Sequence, residues 1–193
     1  MLVTSIGRLT AQKMQLLQHA MSDGRSALDH LLERLGDAGI LILLGSGDPV
    51  YEAFLRKCAA RARNLVYLQG YSDTLVDDLY ASGDLFLMPS LYEPCGISQM
   101  LAMRAGQPCL VHSVGGLADT VQDAKNGFAF SGADIADSAA AMLDRFDAVV
   151  QLRSNEAAKW KKIASAAQKS RFTWESAAES YLDLLYAPAG RMQ

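Results

Sequence analysis

Residues 90–99 read SLYEPCGISQ, a segment that sets a carboxylate and a glycine just ahead of an apolar-periodic run. Gly96 permits a tight bend, and the amides of Ile97 and Ser98 would head the helix that follows, with the Ser98 hydroxyl beside them. Amides in that position hold anions, phosphate oxygens above all. Glu93 then stands beside the anion site and not within it. Taken alone, Glu93 is equally a partner of the helix dipole or a surface acid.

Three more turns carry residues of chemical interest. GRLTAQK at 7–13 places two cations, Arg8 and Lys13, after a short apolar run that ends in Gly7. Their spacing suits a diphosphate, Arg gripping it bidentately and Lys acting as a point charge. By themselves they are more simply two solvated surface cations. GSGD at 45–48 offers two glycines for close backbone approach, which an ordinary strand-to-helix turn also explains. GYSD at 70–73 supplies Ser72 or Asp73 as a helix cap and leaves Tyr71 to stack on a nucleobase or to cover its own loop. Four such turns at one edge would form a nucleoside-diphosphate pocket with a carboxylate beside the phosphates.

The elements that must hold these turns alternate. Short apolar runs lie at 2–6, 40–44, 65–69, 85–88, 109–111 and 128–130, and several are apolar at nearly every position, as parallel strands covered on both faces require. Amphipathic patterns at 13–21, 25–35, 49–60, 73–81, 97–104 and 117–123 lie between them. The expectation is an α/β fold, a single Rossmann-like, doubly wound parallel sheet that binds ligands outside the carboxyl ends of its strands. Beyond 130 only helices follow, at 134–150, 155–170 and 174–186, the last capped by Thr173 with Glu175 and Glu179 outward. The organisation read from this is a core at 1–132, C-terminal helices of the same domain at 133–187 and a frayed tail at 188–193. Trp174, Tyr181 and Leu185 share a stripe of the last helix, either a docking face or a cover for the domain's own sheet.

Composition narrows the classes of partner. The 193 residues are half hydrophobic, and a net charge of −3 gives no footprint for nucleic acid. No apolar run reaches membrane-spanning length and no signal peptide precedes the first strand. Cys58, Cys95 and Cys109 form neither a disulfide framework nor a zinc spacing, so the expected location is cytoplasmic. Asp77 and Asp78 fall inside a helical pattern and read as a solvated face, not a metal site. The chain opens directly on a core strand, which suggests a fragment.

These motifs, GRLTAQK, LGSGDP, GYSD, PSLYEPCGISQMLAMRAG, GGLADTV, NGFAF and FTWESAAESYLDLLY, carry a resemblance. The chain is similar to the C-terminal, nucleotide-sugar-binding half of bacterial glycogen and starch synthases, retaining glucosyltransferases of the GT-B fold that use ADP-glucose. The likeness runs from 6 to 186 in family order. EPCG together with GGLADTV is its specific part, whereas GSGD and NGF occur in many GT-B enzymes. The resemblance implies that Arg8 and Lys13 meet the diphosphate and that Tyr71 lies against the adenine. Gly96, Ile97 and Ser98 become the phosphate-binding helix start, with Ser98 where the family usually has threonine. Glu93 becomes the acid that holds the glucose hydroxyls. Gly7 and Cys95 fall in the same substrate-binding set, and Gly115 and Gly116 match a turn close to the donor. No cofactor or metal is implied, because the cations neutralise the departing ADP.

Some positions depart from the pattern. His112 stands where these synthases often carry arginine and Val114 where threonine is common, which brings this segment closer to the wider retaining transferases of the fold. Leu101 stands where that wider group has a second glutamate, which favours the synthases. An α-glucan acceptor would be reached through an N-terminal half to which nothing here corresponds, so the chain alone is expected to be inactive. The alternatives are the donor half of a retaining transferase using another nucleotide sugar, and a non-catalytic nucleotide-binding module.

Overall fold

The computed structural model describes residues 1–186; the tail expected to fray lies outside them. Six parallel strands, β1 (Leu2–Ile6), β2 (Ile40–Gly45), β3 (Leu65–Gln69), β4 (Leu85–Met88), β5 (Cys109–His112) and β6 (Phe128–Phe130), form one sheet in the order β3-β2-β1-β4-β5-β6. The order reverses between β1 and β4, because β2 and β3 extend to one side and β5 and β6 to the other. That junction is where an open α/β sheet leaves a crevice at its carboxyl edge.

Strand side chains alternate between two cores. Val3, Leu41, Leu43, Leu85, Leu87, Leu110 and Phe128 face one, while Ile6, Leu44, Phe86, Met88, Cys109 and Val111 face the other. The first core is closed by α1 (Ala11–Gln18), α2 (Ala27–Leu35), α3 (Pro49–Arg61) and α7 (Ile135–Asn155). The second is closed by α4 (Asp73–Ser82), α5 (Ser98–Arg104) and α6 (Gly115–Thr120). Strands buried on both sides explain why the apolar runs show no polar alternation.

Several helices begin or end where the pattern did not place them; α7, for one, runs on to Asn155 and does not stop at 150. α1 stops at Gln18, not near 21, because Met21 N–H donates to Arg25 O and Gly24, at φ +80°, closes the turn between them. α6 starts at Gly115, two residues before the expected start at 117. The glycines there serve close packing and do not break the helix. The last helix splits into α9 (Trp174–Tyr181) and a π-helical turn at Leu182–Tyr186.

The C-terminal helices differ in how they pack. α7 buries Met142, Leu143, Phe146 and Val149, and α8 (Ala157–Lys169) adds Trp160 and Ile163 to the first core and Ala167 to the second. α9 buries nothing; its Trp174 and Tyr181 are 88% and 63% exposed, and Leu185 in the turn that follows is 63% exposed. Its stripe therefore does not cover the domain's own sheet. No helix among the described residues is long and apolar enough to cross a membrane.

Candidate functional site

At the carboxyl edge the loop after β1 is clamped to the loop after β2. Leu9 N–H donates to Ser46 O at 2.9 Å and Asp48 N–H to Leu9 O at 2.9 Å. A Cβ on Gly45 would fall 2.1 Å from Gly7 O, and one on Gly47 would fall 2.4 Å from Leu9 O. Both glycines of GSGD thus admit the neighbouring backbone and hold the loop that carries Arg8. Asp48 caps α3 through Val50 N–H, and Ser72, not Asp73, caps α4 through Leu75 N–H.

A cleft of about 290 Å³ opens at the reversal point, lined among others by Gly7, Arg8, Ser46, Tyr71, Tyr80 and Ser98. Residues from the turns after β1, β2, β3 and β4 therefore meet in one concavity. Arg8 is exposed and makes no ion pair or side-chain hydrogen bond among the described residues. The Tyr71 ring is 73% exposed, and its hydroxyl donates to Asp73 Oδ1 at 2.7 Å. That bond to a carboxylate holds the phenol proton above the usual tyrosine range. Burial raises Tyr80 as well, against an opposing pull from the Ser98 side chain. Leu101 closes the wall between them. Asp77 and Asp78 are exposed on α4, and no cluster of three or more His, Cys, Asp or Glu suited to a metal occurs among the described residues.

Lys13 and Glu93 do not act apart, as the motif reading had them. Lys13 Nζ lies 3.3 Å from Glu93 Oε2. Leu91 N–H donates to Gln12 O at 2.8 Å, which ties the loop after β4 to the first turn of α1. A separation of 80 positions hides this in the sequence; the adjacency of β1 and β4 creates it. Ser90 Oγ, fully buried, adds a long contact to the same carboxylate oxygen at 3.5 Å.

The loop from Glu93 to Ile97 rests on α6. Gly116 N–H donates to Glu93 O at 2.9 Å. A Cβ on Gly115, whose φ is +47°, would fall 2.2 Å from Glu93 O, and one on Gly116 would fall 2.2 Å from Cys95 O. These two glycines seat the loop's backbone. Gly96, at φ +73°, makes the bend, and α5 starts at Ser98, so Ile97 precedes the helix as its cap residue. The amides of Gly96, Ile97 and Ser98 donate to no group among the described residues.

Two supporting residues escaped the motif reading. Gln99 is fully buried and donates from Nε2 to Cys95 O (3.2 Å), Gly96 O (2.9 Å) and Thr120 Oγ1 (3.3 Å). The signal was a polar residue on the same face of α5 as Ala102 and Met103. His112, noted only as a departure, stacks on Phe130 with ring centroids 5.2 Å apart. Its Nδ1 lies 3.0 Å from Ser90 O, an acceptor, so Nδ1 carries the proton. Val114 packs against the second core.

The largest concavity, about 850 Å³, lies away from these residues between α2 and α3. Most of its charges are paired: Arg61 holds both Asp29 oxygens, and Arg25 pairs with Glu33, while Asp37 and Arg63 line it without an ion pair among the described residues.

Of the three thiols, Cys58 and Cys109 are buried, and burial pushes Cys58 up to about 11 and Cys109 higher still. Cys95 is exposed beside Glu93 and Gly96. A thiol-specific chromogenic reagent at pH 8 is expected to modify one cysteine quickly and two only on unfolding. Loss of the fast phase in Cys95→Ser identifies it; a fast phase that survives contradicts the assignment.

The family model described as glycosyl transferases group 1 matches residues 2–147. A glycogen synthase of Rhodopirellula baltica is 40% identical over 149 residues, 74% of this chain and 29% of that protein. One from Geotalea daltonii is 36% identical over 191 residues, 95% of this chain and 36% of that protein. Among solved structures, the catalytic domain of starch synthase IV from Arabidopsis thaliana, bound to ADP and acarbose, matches with a TM-score of 0.74 at 28% identity. That match covers 94% of this chain and 37% of the other. The chain spans about a third of the length of the curated relatives it matches.

Proposed function

The chain belongs to the glycosyl transferases group 1 family, and we propose that it is the donor-binding part of a synthase that transfers glucose from ADP-glucose to the non-reducing end of an α-1,4-glucan, with retention. The observation that carries this reading is the cleft at the β1/β4 junction, where Arg8, Tyr71 and Ser98 line one concavity. Its parts divide by chemistry. An exposed aromatic suits a nucleobase, and an unpaired guanidinium beside free amides suits a diphosphate. The carboxylate of Glu93 suits sugar hydroxyls, which donate to it.

In this reading the leaving ADP gains charge as the glycosidic bond breaks, and Arg8, Lys13 and the amides at 96–98 stabilise it without a metal. Acceptor attack on the same face accounts for retention. Glu93 holds the sugar and does not attack it. The remainder of the complete protein would present the acceptor and exclude water on closure. Leu101 supports the synthase assignment over a wider transferase, since it puts an apolar wall where a second acid would stand.

Calorimetry of the chain with ADP, UDP and GDP tests the proposal. ADP is expected to bind tightest, and Tyr71→Ala is expected to weaken it. Preference for UDP or GDP would move the assignment to a transferase using another nucleotide sugar. No binding of any nucleotide would refute a donor site.

A further inference from the structure

Lys13 and Glu93 pair beside the cleft, on the far side of the Gly7 turn that lines it. Of the two cations beside Gly7, Arg8 is unpaired among the described residues and Lys13 is held by Glu93 at 3.3 Å. Both partners are largely withdrawn from water, with side-chain exposures of 24% and 11%. The ammonium also lies along Gly7: a Cβ there would be 3.5 Å from Lys13 Nζ. Lys13 thus stands between the carboxylate on one side and the turn that borders the cleft on the other.

A diphosphate entering that cleft pulls Lys13 toward itself and repels Glu93. If the ammonium leaves, the carboxylate is stranded. It is 8% exposed, and its other contact, Ser90 Oγ at 3.5 Å, is too long to replace a charge-assisted bond. We infer that Glu93 withholds Lys13 from a bare nucleoside diphosphate, so that the Lys13–Glu93 pair weakens retention of the leaving product. Sugar hydroxyls are the replacement donors that Glu93 lacks when the sugar has gone. The inference rests on the donor-site reading above, and it gives Glu93 a second task besides gripping the sugar.

A double-mutant cycle of ADP affinity on this chain, by calorimetry, separates the inference from simple charge repulsion. If the pair must open for Lys13 to reach the diphosphate, the wild type alone bears that penalty. Lys13→Met is then expected to weaken ADP by less than about threefold in the wild type. In the Glu93→Gln background the same change should weaken it about ten- to a hundredfold, because a freed ammonium makes a full charge-assisted contact. Glu93→Gln alone should tighten ADP. Fixed charges that never rearrange would give equal Lys13→Met effects in both backgrounds, and that additivity would overturn the inference while leaving the donor site intact. Absence of ADP binding in the wild type would remove the donor site and the inference together. Thermal melts verify folding of each variant, with Lys13→Ala and Glu93→Ala as the second pair if one fails.

Discussion

Replacing Gly116 with alanine is expected to lower the stability of the protein and to disable a nucleotide site that Gly116 does not line. Its added Cβ would sit 2.2 Å from Cys95 O and 2.7 Å from Cys95 C and Cα, all of them main-chain atoms. No rotamer change relieves a clash with a carbonyl. Overpacking of this kind costs about 1–3 kcal/mol, and moving α6 to relieve it stretches the Gly116–Glu93 backbone bond as well. For a chain of this size the melting temperature should fall by about 2–12 °C. The larger loss is in ADP binding, since the displaced segment carries the amides at 96–98. Gly115→Ala should do as much, because it combines a 2.2 Å approach to Glu93 O with a left-handed φ of +47°. Differential scanning calorimetry with and without ADP reads both effects. An alanine variant with unchanged melting and unchanged ADP stabilisation would show that the loop does not depend on these glycines.

Arg8→Ala is the other large effect, and it should fall on binding without a change in stability. Arg8 makes no ion pair or side-chain hydrogen bond among the described residues, so nothing folded is lost with it. A charge-assisted contact to a ligand is worth about 1.5–3 kcal/mol, and exposure puts Arg8 near the lower end, about tenfold in ADP affinity. Its melting temperature without ligand should match the wild type. Raising salt should narrow the difference, since an exposed cation is screened. If Arg8→Ala bound ADP as the wild type does, the cation of the site would lie elsewhere.

The strands were legible in the sequence because burial on both faces removes the polar alternation that would otherwise blur them. All six appear within a residue of the apolar runs. Helix ends were less legible where a glycine had two meanings. Gly115 and Gly116 read as a turn before a helix, yet they are its first residues, chosen for the carbonyls they admit. The motifs likewise named most residues of the cleft: Gly7, Arg8, Tyr71 and Ser98 each follow a strand, and strands in one parallel sheet end at one edge.

What composition and motif could not contain is who stands next to whom. The order β3-β2-β1-β4-β5-β6 sets the first strand beside the fourth, and only that adjacency brings Lys13 onto Glu93 across 80 residues. It also decides that Gln99 points inward to hold the bend at Gly96, and that the stripe of α9 faces outward. Residue type and spacing determined the local chemistry of this protein, an acid, two cations, an aromatic and a phosphate-sized bend. Pairing, burial and register are long-range properties of the packed sheet, and they alone decided which of those groups is free to meet a ligand and which is already held.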